Sequence, residues 1–292
     1  MSQALESLMQ RAESLLVRLE AVLPPAPAEP DWNASVAFRG RRRQGRLVLE
    51  PVRHIATIHL EALREVEPQK QRLLRNTEQF VAGRPANNVL LTGAKGTGKS
   101  SLIKAVLNEF APRGLRLIEV DKADLVELPD LIELVSTRPE RFVVFCDDLS
   151  FDEGEPGYKA LKSVLDGSVA AAGENVLIYA TSNRRHLLPE QMRDNLAVKY
   201  DENGELHPGE AIEEKISLSE RFGLWLSFYP FTQDEYLAIV AQWLRHFGLG
   251  EEAIVAARQR SLVWALERGS RSGRVAWQFA RDYAGSGGAG HD

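Results

Sequence analysis

Leu5, Leu8, Met9, Leu15, Leu16, Leu19 and Leu23 recur at helical spacing, so residues 3 to 23 are expected to form one amphipathic helix. The run Pro24-Pro25-Ala26-Pro27-Ala28-Glu29-Pro30 then reads as a stiff polyproline linker, which sets that helix apart as an arm. The arm falls short of the ~3–4 heptads that a coiled coil needs. Residues 35 to 56 are mixed, with a short strand-like run at Leu47-Val48-Leu49. From Leu60 a helical pattern passes through Leu63, Val66, Leu73 and Leu74 to Phe80 and Val81, and Gly83 and Pro85 break it.

The middle of the chain alternates. Asn88-Val89-Leu90-Leu91-Thr92 reads as a buried strand and 101–107 as a helix. Residues 115–120 read as a strand, and 125–135 as a helix with Pro129 in its first turn. Arg141-Phe142-Val143-Val144-Phe145-Cys146 is an apolar strand, 158–172 a helix ending near Gly173, and 175–181 another buried strand. Continuous β-rich runs alternating with helices predict a parallel sheet covered on both faces. Residues 194–215 are polar and read as an exposed insertion. Residues 232–284 are helical throughout, with Thr232 and Glu235 spaced as a capping box and glycines at 248, 250, 269 and 273 as punctuation. The expected domains are an arm and linker at 1–31, a nucleotide-binding α/β domain at 32–231, a helical domain at 232–284 and a flexible tail at 285–292.

The chemistry concentrates in one place. Gly93-Ala94-Lys95-Gly96-Thr97-Gly98-Lys99-Ser100, followed by Ser101, spells G-x-x-x-x-G-K-S between a predicted strand and a predicted helix, the context in which this pattern cradles phosphates. The glycines let backbone N–H groups turn inward, and the helix N-terminus adds its positive end. Lys99 can reach the β- and γ-phosphates, and the Ser100 hydroxyl can ligand Mg²⁺. A nucleoside triphosphate is the expected ligand. At 48 residues beyond Lys99, a buried strand ends in Asp147-Asp148. Asp147 is placed for the Mg²⁺ shell and Asp148 to orient a water. A second strand ends in Thr181-Ser182-Asn183, and an amide there can hold a water against the γ-phosphate.

In this order the motifs resemble those of AAA+ ATPases. Leu218-Ser219-Glu220-Arg221-Phe222-Gly223-Leu224 is similar to the segment that carries the arginine finger in replication initiators and helicase loaders of that superfamily. Arg271-Ser272-Gly273-Arg274 resembles the start of the helix that carries the lid arginine, with Arg274 preferred over Arg271. The whole chain resembles an uncharacterised bacterial family of AAA+ ATP-binding proteins, marked by residues 74–80 and 213–223. The resemblance implies a three-layer αβα P-loop fold with a small all-α lid. It implies ATP and Mg²⁺ as ligands, with Lys99, Asp148, Asn183, Arg221 and Arg274 as the catalytic set. It also implies a homo-oligomer in which Arg221 acts in trans, and a protein or nucleic-acid client. The region of Leu63 to Val66 is expected to contact the base. Asp148 stands where many such motors carry Glu, which suits slow hydrolysis or a switch. A P-loop kinase would leave the helical domain, Arg221 and Arg274 without a role.

Bulk properties narrow the picture modestly. The net charge is -5 over 292 residues, so no global basic field favours nucleic acid. The local run Arg39, Arg41, Arg42, Arg43 and Arg46 reads as a solvated loop ahead of a phosphate-binding surface. The single cysteine, Cys146, excludes an internal disulfide framework and fits a reducing cytoplasm. No secretory signal is recognised and no run approaches the ~18 apolar residues of a membrane span. The six histidines show no metal-ligand spacing.

Overall fold

The computed structural model describes residues 3–22, 30–43, 45–151, 155–167, 174–183, 199–200, 206–207 and 218–287. Its main sheet has seven strands: β1 (Ala37–Arg43), β2 (Arg46–Pro51), β3 (Val89–Gly93), β4 (Leu115–Val120), β5 (Arg141–Cys146), β6 (Val176–Ser182) and β9 (Leu224–Phe228). They lie in the order β2-β1-β4-β5-β6-β3-β9, all parallel except β2, which runs antiparallel to β1. Helices α2 (Glu67–Val81), α3 (Lys99–Phe110), α4 (Leu128–Ser136) and α5 (Pro156–Leu165) connect them.

Alternation along the central strands feeds two cores. Val143 and Phe145 of β5, with Leu177 and Tyr179 of β6, join the helices α2 and α3. Phe142, Val144 and Cys146, with Val176, Ile178 and Ala180, join α4 and α5 on the other face. Helices therefore cover both faces of one sheet, which is why these strands read as unbroken apolar runs. Trp32 closes one margin by packing edge-on against Phe38 and Phe142 at 5.0 and 5.1 Å. Three C-terminal helices, α6 (Gln233–His246), α7 (Glu251–Glu267) and α8 (Gly273–Gly285), continue the α2/α3-side core through Tyr236, Phe279 and Tyr283. The Thr232–Glu235 capping box that opens α6 is formed as expected.

Several expectations need correction. The arginine run is a strand: Arg39 to Arg43 lie in β1, paired with β2 and β4. Three of its charges are matched across the surface, Arg39 to Glu119, Arg42 to Glu127 and Arg43 to Glu50. The helix expected from Leu60 begins at Glu67. A single 3₁₀ turn, Leu60–Ala62, precedes it, and Glu65 at φ 61° breaks the path. The helix expected over 158–172 ends at Leu165, where Gly167 takes φ 69°. Strand β9 had no counterpart in the sequence reading. Of the expected insertion, only β7 (Lys199–Tyr200) and β8 (Leu206–His207) are described, paired antiparallel; the rest, with residues 184–198 and 288–292, lies outside the described residues. Among the described residues no helix is long and apolar enough to cross a membrane.

Candidate nucleotide site

Strand register assembles the site. Cys146 pairs with Ala180, so Asp147 emerges beside Thr181. Thr92 pairs with Ser182, so the loop after Gly93 emerges beside Asn183. Gly93 pairs with Phe228 so closely that a Cβ on it would lie 1.8 Å from the Phe228 carbonyl oxygen. Three strand ends thus deliver the loop, the paired acids and the amide to one C-terminal edge, the edge where open α/β sheets take ligands.

Within the loop, Gly93, Gly96 and Gly98 adopt φ of 127°, 74° and 99°, values that a side chain resists. Thr97 is buried, and its hydroxyl donates to the Ala94 carbonyl at 2.8 Å. Lys99 opens α3 and is itself buried. Its ammonium donates to the Gly93 and Ala94 carbonyls at 2.7 and 2.8 Å and to Asn183 Oδ1 at 3.1 Å. Burial pulls its pKa below the ordinary lysine value. Asp148 and Asp147 oppose that shift, whereas Lys95 and Arg274 add to it.

The acids are held differently. Asp147 Oδ1 accepts from Ser100 Oγ at 2.6 Å, from Thr181 Oγ1 at 2.5 Å and from the Asp148 backbone N–H at 3.1 Å. Asp148 sits at φ 51°, the left-handed region that aspartate tolerates better than most residues. Its N–H also donates to Thr181 Oγ1 at 2.9 Å, and its carboxylate accepts from Asn183 Nδ2. Thr181 therefore bridges both acids, a role that the sequence reading gave to no residue. The signal was available in the strand ending Ala180-Thr181-Ser182-Asn183, but it needed the β5–β6 register.

Helix α8 rests on the loop. Ser272 caps it by accepting from Val275 N–H, and the Arg274 backbone N–H donates to the Gly96 carbonyl at 3.4 Å. A Cβ on Gly96 would lie 2.8 Å from Ser272 Oγ and 3.3 Å from Arg274 Cβ. Of Arg271 and Arg274 at the start of α8, Arg274 is among the charges that act on Lys99. Arg221 is ion-paired with Asp166, just beyond α5 of its own chain.

The segment expected to meet the base is also placed. Lys70 donates to the Leu60 and Leu63 carbonyls at 3.0 and 2.7 Å, pinning this strap, and Leu63 Cδ2 lies 3.8 Å from where a Gly98 Cβ would stand. Val66 lines a cavity of about 310 Å³ with Gln69, Phe228, Tyr229 and Phe231. Phe228 also accepts from the Ala94 N–H at 3.2 Å, so the cavity adjoins the start of the loop. Gln69 Nε2 donates to the Ser227 carbonyl, and Gln69 Oε1 has no partner.

The ligand fit follows from these contacts. The glycine conformations leave room for an anion, and the Ser100–Asp147 pair is an oxygen donor set suited to Mg²⁺. Among the described residues, no group of three or more His, Cys, Asp or Glu side chains forms a separate metal cluster.

Comparison with known proteins agrees with this architecture. The profile of a family described as "Protein of unknown function (DUF815)" matches residues 33–287. No curated protein matches the sequence. Among solved structures, a variant of Thermotoga maritima RuvB superposes with a TM-score of 0.52 at 18% identity, covering 80% of this chain and 68% of that one. Aeropyrum pernix Orc1 in complex with DNA gives 0.52 at 17% identity, covering 77% and 60%. The E. coli MS115-1 HORMA:CdnC:Trip13 complex gives 0.50 at 14%, covering 76% and 90%. The fold is that of AAA+ ATPases.

Proposed function

The chain belongs to the DUF815 family, and from that premise we propose that it binds ATP with Mg²⁺ at residues 93–101 and hydrolyses it in an assembly of its own copies, coupling nucleotide state to a macromolecular client. The observation that supports this most directly is convergence. Lys99, Ser100, Asp147, Asp148, Asn183 and the lid helix meet around one glycine loop, although up to 178 positions of sequence separate them.

Phosphoryl transfer to water asks for positioning and charge neutralisation more than for covalent chemistry. Lys99 exchanges its carbonyl partners for β- and γ-phosphate oxygens, and Arg274 approaches from the lid of the same chain. Mg²⁺, held by Ser100 and Asp147, supplies charge neutralisation across the phosphates. Thr181 keeps Asp147 oriented. Asp148 and Asn183 hold the attacking water between a carboxylate and an amide. The water oxygen bonds to the γ-phosphorus as the bond to the β–γ bridging oxygen breaks. ADP and phosphate result, and the proton passes through Asp148 to solvent. Arg221 of one copy leaves Asp166 and stabilises the transition-state charge in a neighbour's site. Arginine fingers contribute ~10³–10⁵ in turnover. The cavity beside Val66 and Phe228 takes the base. In this reading 1–31 is an arm, 32–231 the nucleotide-binding domain and 232–284 the lid, and the protein works in the cytoplasm.

A second reading is an ATP-dependent switch with little hydrolysis. It draws on Arg221 being paired inside its own chain and on Asp148 being engaged by Asn183. The client is a protein or a nucleic acid. Matching three of the β1 arginines with glutamates weakens a nucleic-acid surface there.

The test is ATP hydrolysis against protein concentration, with light scattering for mass on the same samples, with and without ATP. Specific activity that rises with concentration, together with ATP-dependent assembly, is expected. Binding without turnover or assembly would favour the switch. In Lys99→Ala, ATP binding should disappear, and retained micromolar affinity would remove the site.

A further inference from the structure

The cavity beside the glycine loop has two walls. Residues 65–69, at the start of α2, form one; residues 228–231 with Glu235, leading into α6, form the other. Two glutamines fasten these walls together. From the first wall, Gln69 Nε2 donates at 2.8 Å to the carbonyl of Ser227, which precedes the second. Two turns along α6 from Glu235, Gln242 Nε2 donates to the Glu61 carbonyl at 3.2 Å. Glu61 belongs to the strap 60–66, which Lys70 of α2 already grips at the Leu60 and Leu63 carbonyls. Asn108 of α3 holds the Ala56 and Ile58 carbonyls just ahead of it. Among the described residues, Gln242–Glu61 is the one hydrogen bond between that strap and helices α6 to α8. Helix α1 (Gln3–Val22) contributes no hydrogen bond to either wall among the described residues.

Both fastenings are half satisfied. In each, the amide N–H is used while the carbonyl, Gln69 Oε1 or Gln242 Oε1, is buried without a hydrogen-bond partner. A buried acceptor with no donor gives back much of what the donor side gains. Both bonds also lie at exposed positions, so water can take over the Ser227 and Glu61 carbonyls, and a released side chain turns its own carbonyl to water. These bonds are therefore easily exchanged. They also complete a circuit around the loop. Leu63 of the strap approaches Gly98, Ser272 and Arg274 of α8 approach Gly96, and α6 shares one core with α8 through Tyr236 and Phe279. The bond from Gln242 to Glu61 is the link in that circuit that rotation of one side chain can open.

We propose that Gln69 and Gln242 are clasps that hold the cavity shut over a bound nucleoside and release for its entry and exit, so that Gln242 sets the rate of nucleotide exchange. The proposal rests on the nucleotide reading given above. Gln242 is not among the residues that line the cavity, so it is a positioning residue that acts through Glu61 and the strap.

The experiment is stopped-flow binding of an ADP analogue with an N-methylanthraniloyl group on its ribose, with Mg²⁺, to wild type, Gln242→Glu and Gln242→Lys. Glutamate has nearly the shape of glutamine but cannot donate to the Glu61 carbonyl, whereas lysine can. In Gln242→Glu, association and dissociation should both quicken by roughly two- to tenfold, the worth of one neutral hydrogen bond, with Kd held within about twofold. In Gln242→Lys, neither rate should exceed that of wild type. The added charges act the other way on an anionic ligand, since glutamate slows its approach and lysine speeds it. A charge effect therefore cannot imitate the expected result. Association that is unchanged or slower in Gln242→Glu would overturn the clasp. So would faster dissociation alone, which would mark a lost ligand contact, or a lysine variant that behaves like the glutamate one, which would mark damaged packing. A wild type that binds no nucleotide would remove the site itself, and the clasp with it.

Discussion

The contact between the lid helix and the glycine loop can be tested by a double-mutant cycle at Gly96 and Ser272. Gly96 has φ 74°, and an L side chain in the left-handed region costs ~1–2 kcal/mol. The added Cβ would also stand 2.8 Å from Ser272 Oγ and 3.0 Å from Ser272 Cβ. Ser272 is buried and caps α8, so it has little room to retreat, and such overpacking costs ~1–3 kcal/mol. Gly96→Ala should therefore destabilise the nucleotide-free protein by about 2–5 kcal/mol. Ser272→Gly removes both crowding atoms and keeps a residue acceptable at an N-cap. Its own cost is a few tenths of a kcal/mol. In the double variant the backbone strain of about 1–2 kcal/mol remains, with the looser 3.3 Å approach to Arg274 Cβ, so the cycle should return a favourable coupling of up to ~1–3 kcal/mol. The assay is urea denaturation without nucleotide, followed by tryptophan fluorescence. Additivity within ~0.5 kcal/mol would refute the reasoning, because residues in contact couple and distant ones do not. The lid helix would then stand away from the loop in the free protein.

Other consequences can be checked separately. Thr181→Val removes the hydroxyl that donates to Asp147 and accepts from the Asp148 N–H. Losing a bond to a charged group costs ~1.5–3 kcal/mol, so Tm should fall by at least ~3 °C in calorimetry, and an unchanged Tm would deny Thr181 that bridging role. Burial raises the Tyr179 phenol to about 12, although Thr77 and Asn76 oppose the shift. The folded state therefore favours the neutral phenol. The resulting stability is complete below pH 10 and is lost as pH rises toward 12, by about 2.7 kcal/mol at 1.36 kcal/mol per unit. Tyr179→Phe should flatten that alkaline loss apart from the share of Tyr236, which burial shifts the same way; an unchanged alkaline limb would rule Tyr179 out as its source. Asp166→Asn removes one partner of Arg221, in a partly exposed pair worth at most ~1 kcal/mol, so ATP turnover should rise by up to about fivefold. A fall of that size would mean that Asp166 positions the guanidinium instead of competing for it.

The convergence of the candidate site was legible in the sequence because its parts sit at the ends of central strands. Such strands are buried on both faces, so β3, β5 and β6 read as apolar runs, and whatever polar residue follows them stands at the sheet edge. Strand β1, second from the sheet edge, was not legible, because Arg39, Arg41, Arg42 and Arg43 crowd out the apolar pattern. The glutamates that satisfy three of those arginines lie on β2, on β4 and before α4. Helix α2 was read too long because Leu60 and Leu63 continue its periodicity. What interrupts it is local: the positive φ of Glu65, and a Lys70 ammonium that captures the carbonyls of Leu60 and Leu63. Thr181 and Ser272 were missed for one reason. Each acts on a partner at least 33 positions away, and only strand register or lid docking brings the two together.

These contacts also fix what a ligand must displace. The Lys99 ammonium has three N–H bonds, and all three are spent, on two loop carbonyls and on Asn183. Ser100 is spent on Asp147, and the Asn183 amide on Asp148. An anion entering the loop therefore exchanges hydrogen bonds and fills no vacancy in them, so its gain is electrostatic. Neutral carbonyls give way to charged phosphate oxygens around a cation that burial has already made costly to keep charged. The exchange has a direction. When Lys99 turns to a phosphate, Asn183 Oδ1 is left without its donor while Asn183 Nδ2 still holds Asp148. On the proposed function, the freed oxygen would accept from a water facing the carboxylate, and occupancy of the loop would reach the acid through the two hydrogen bonds of Asn183.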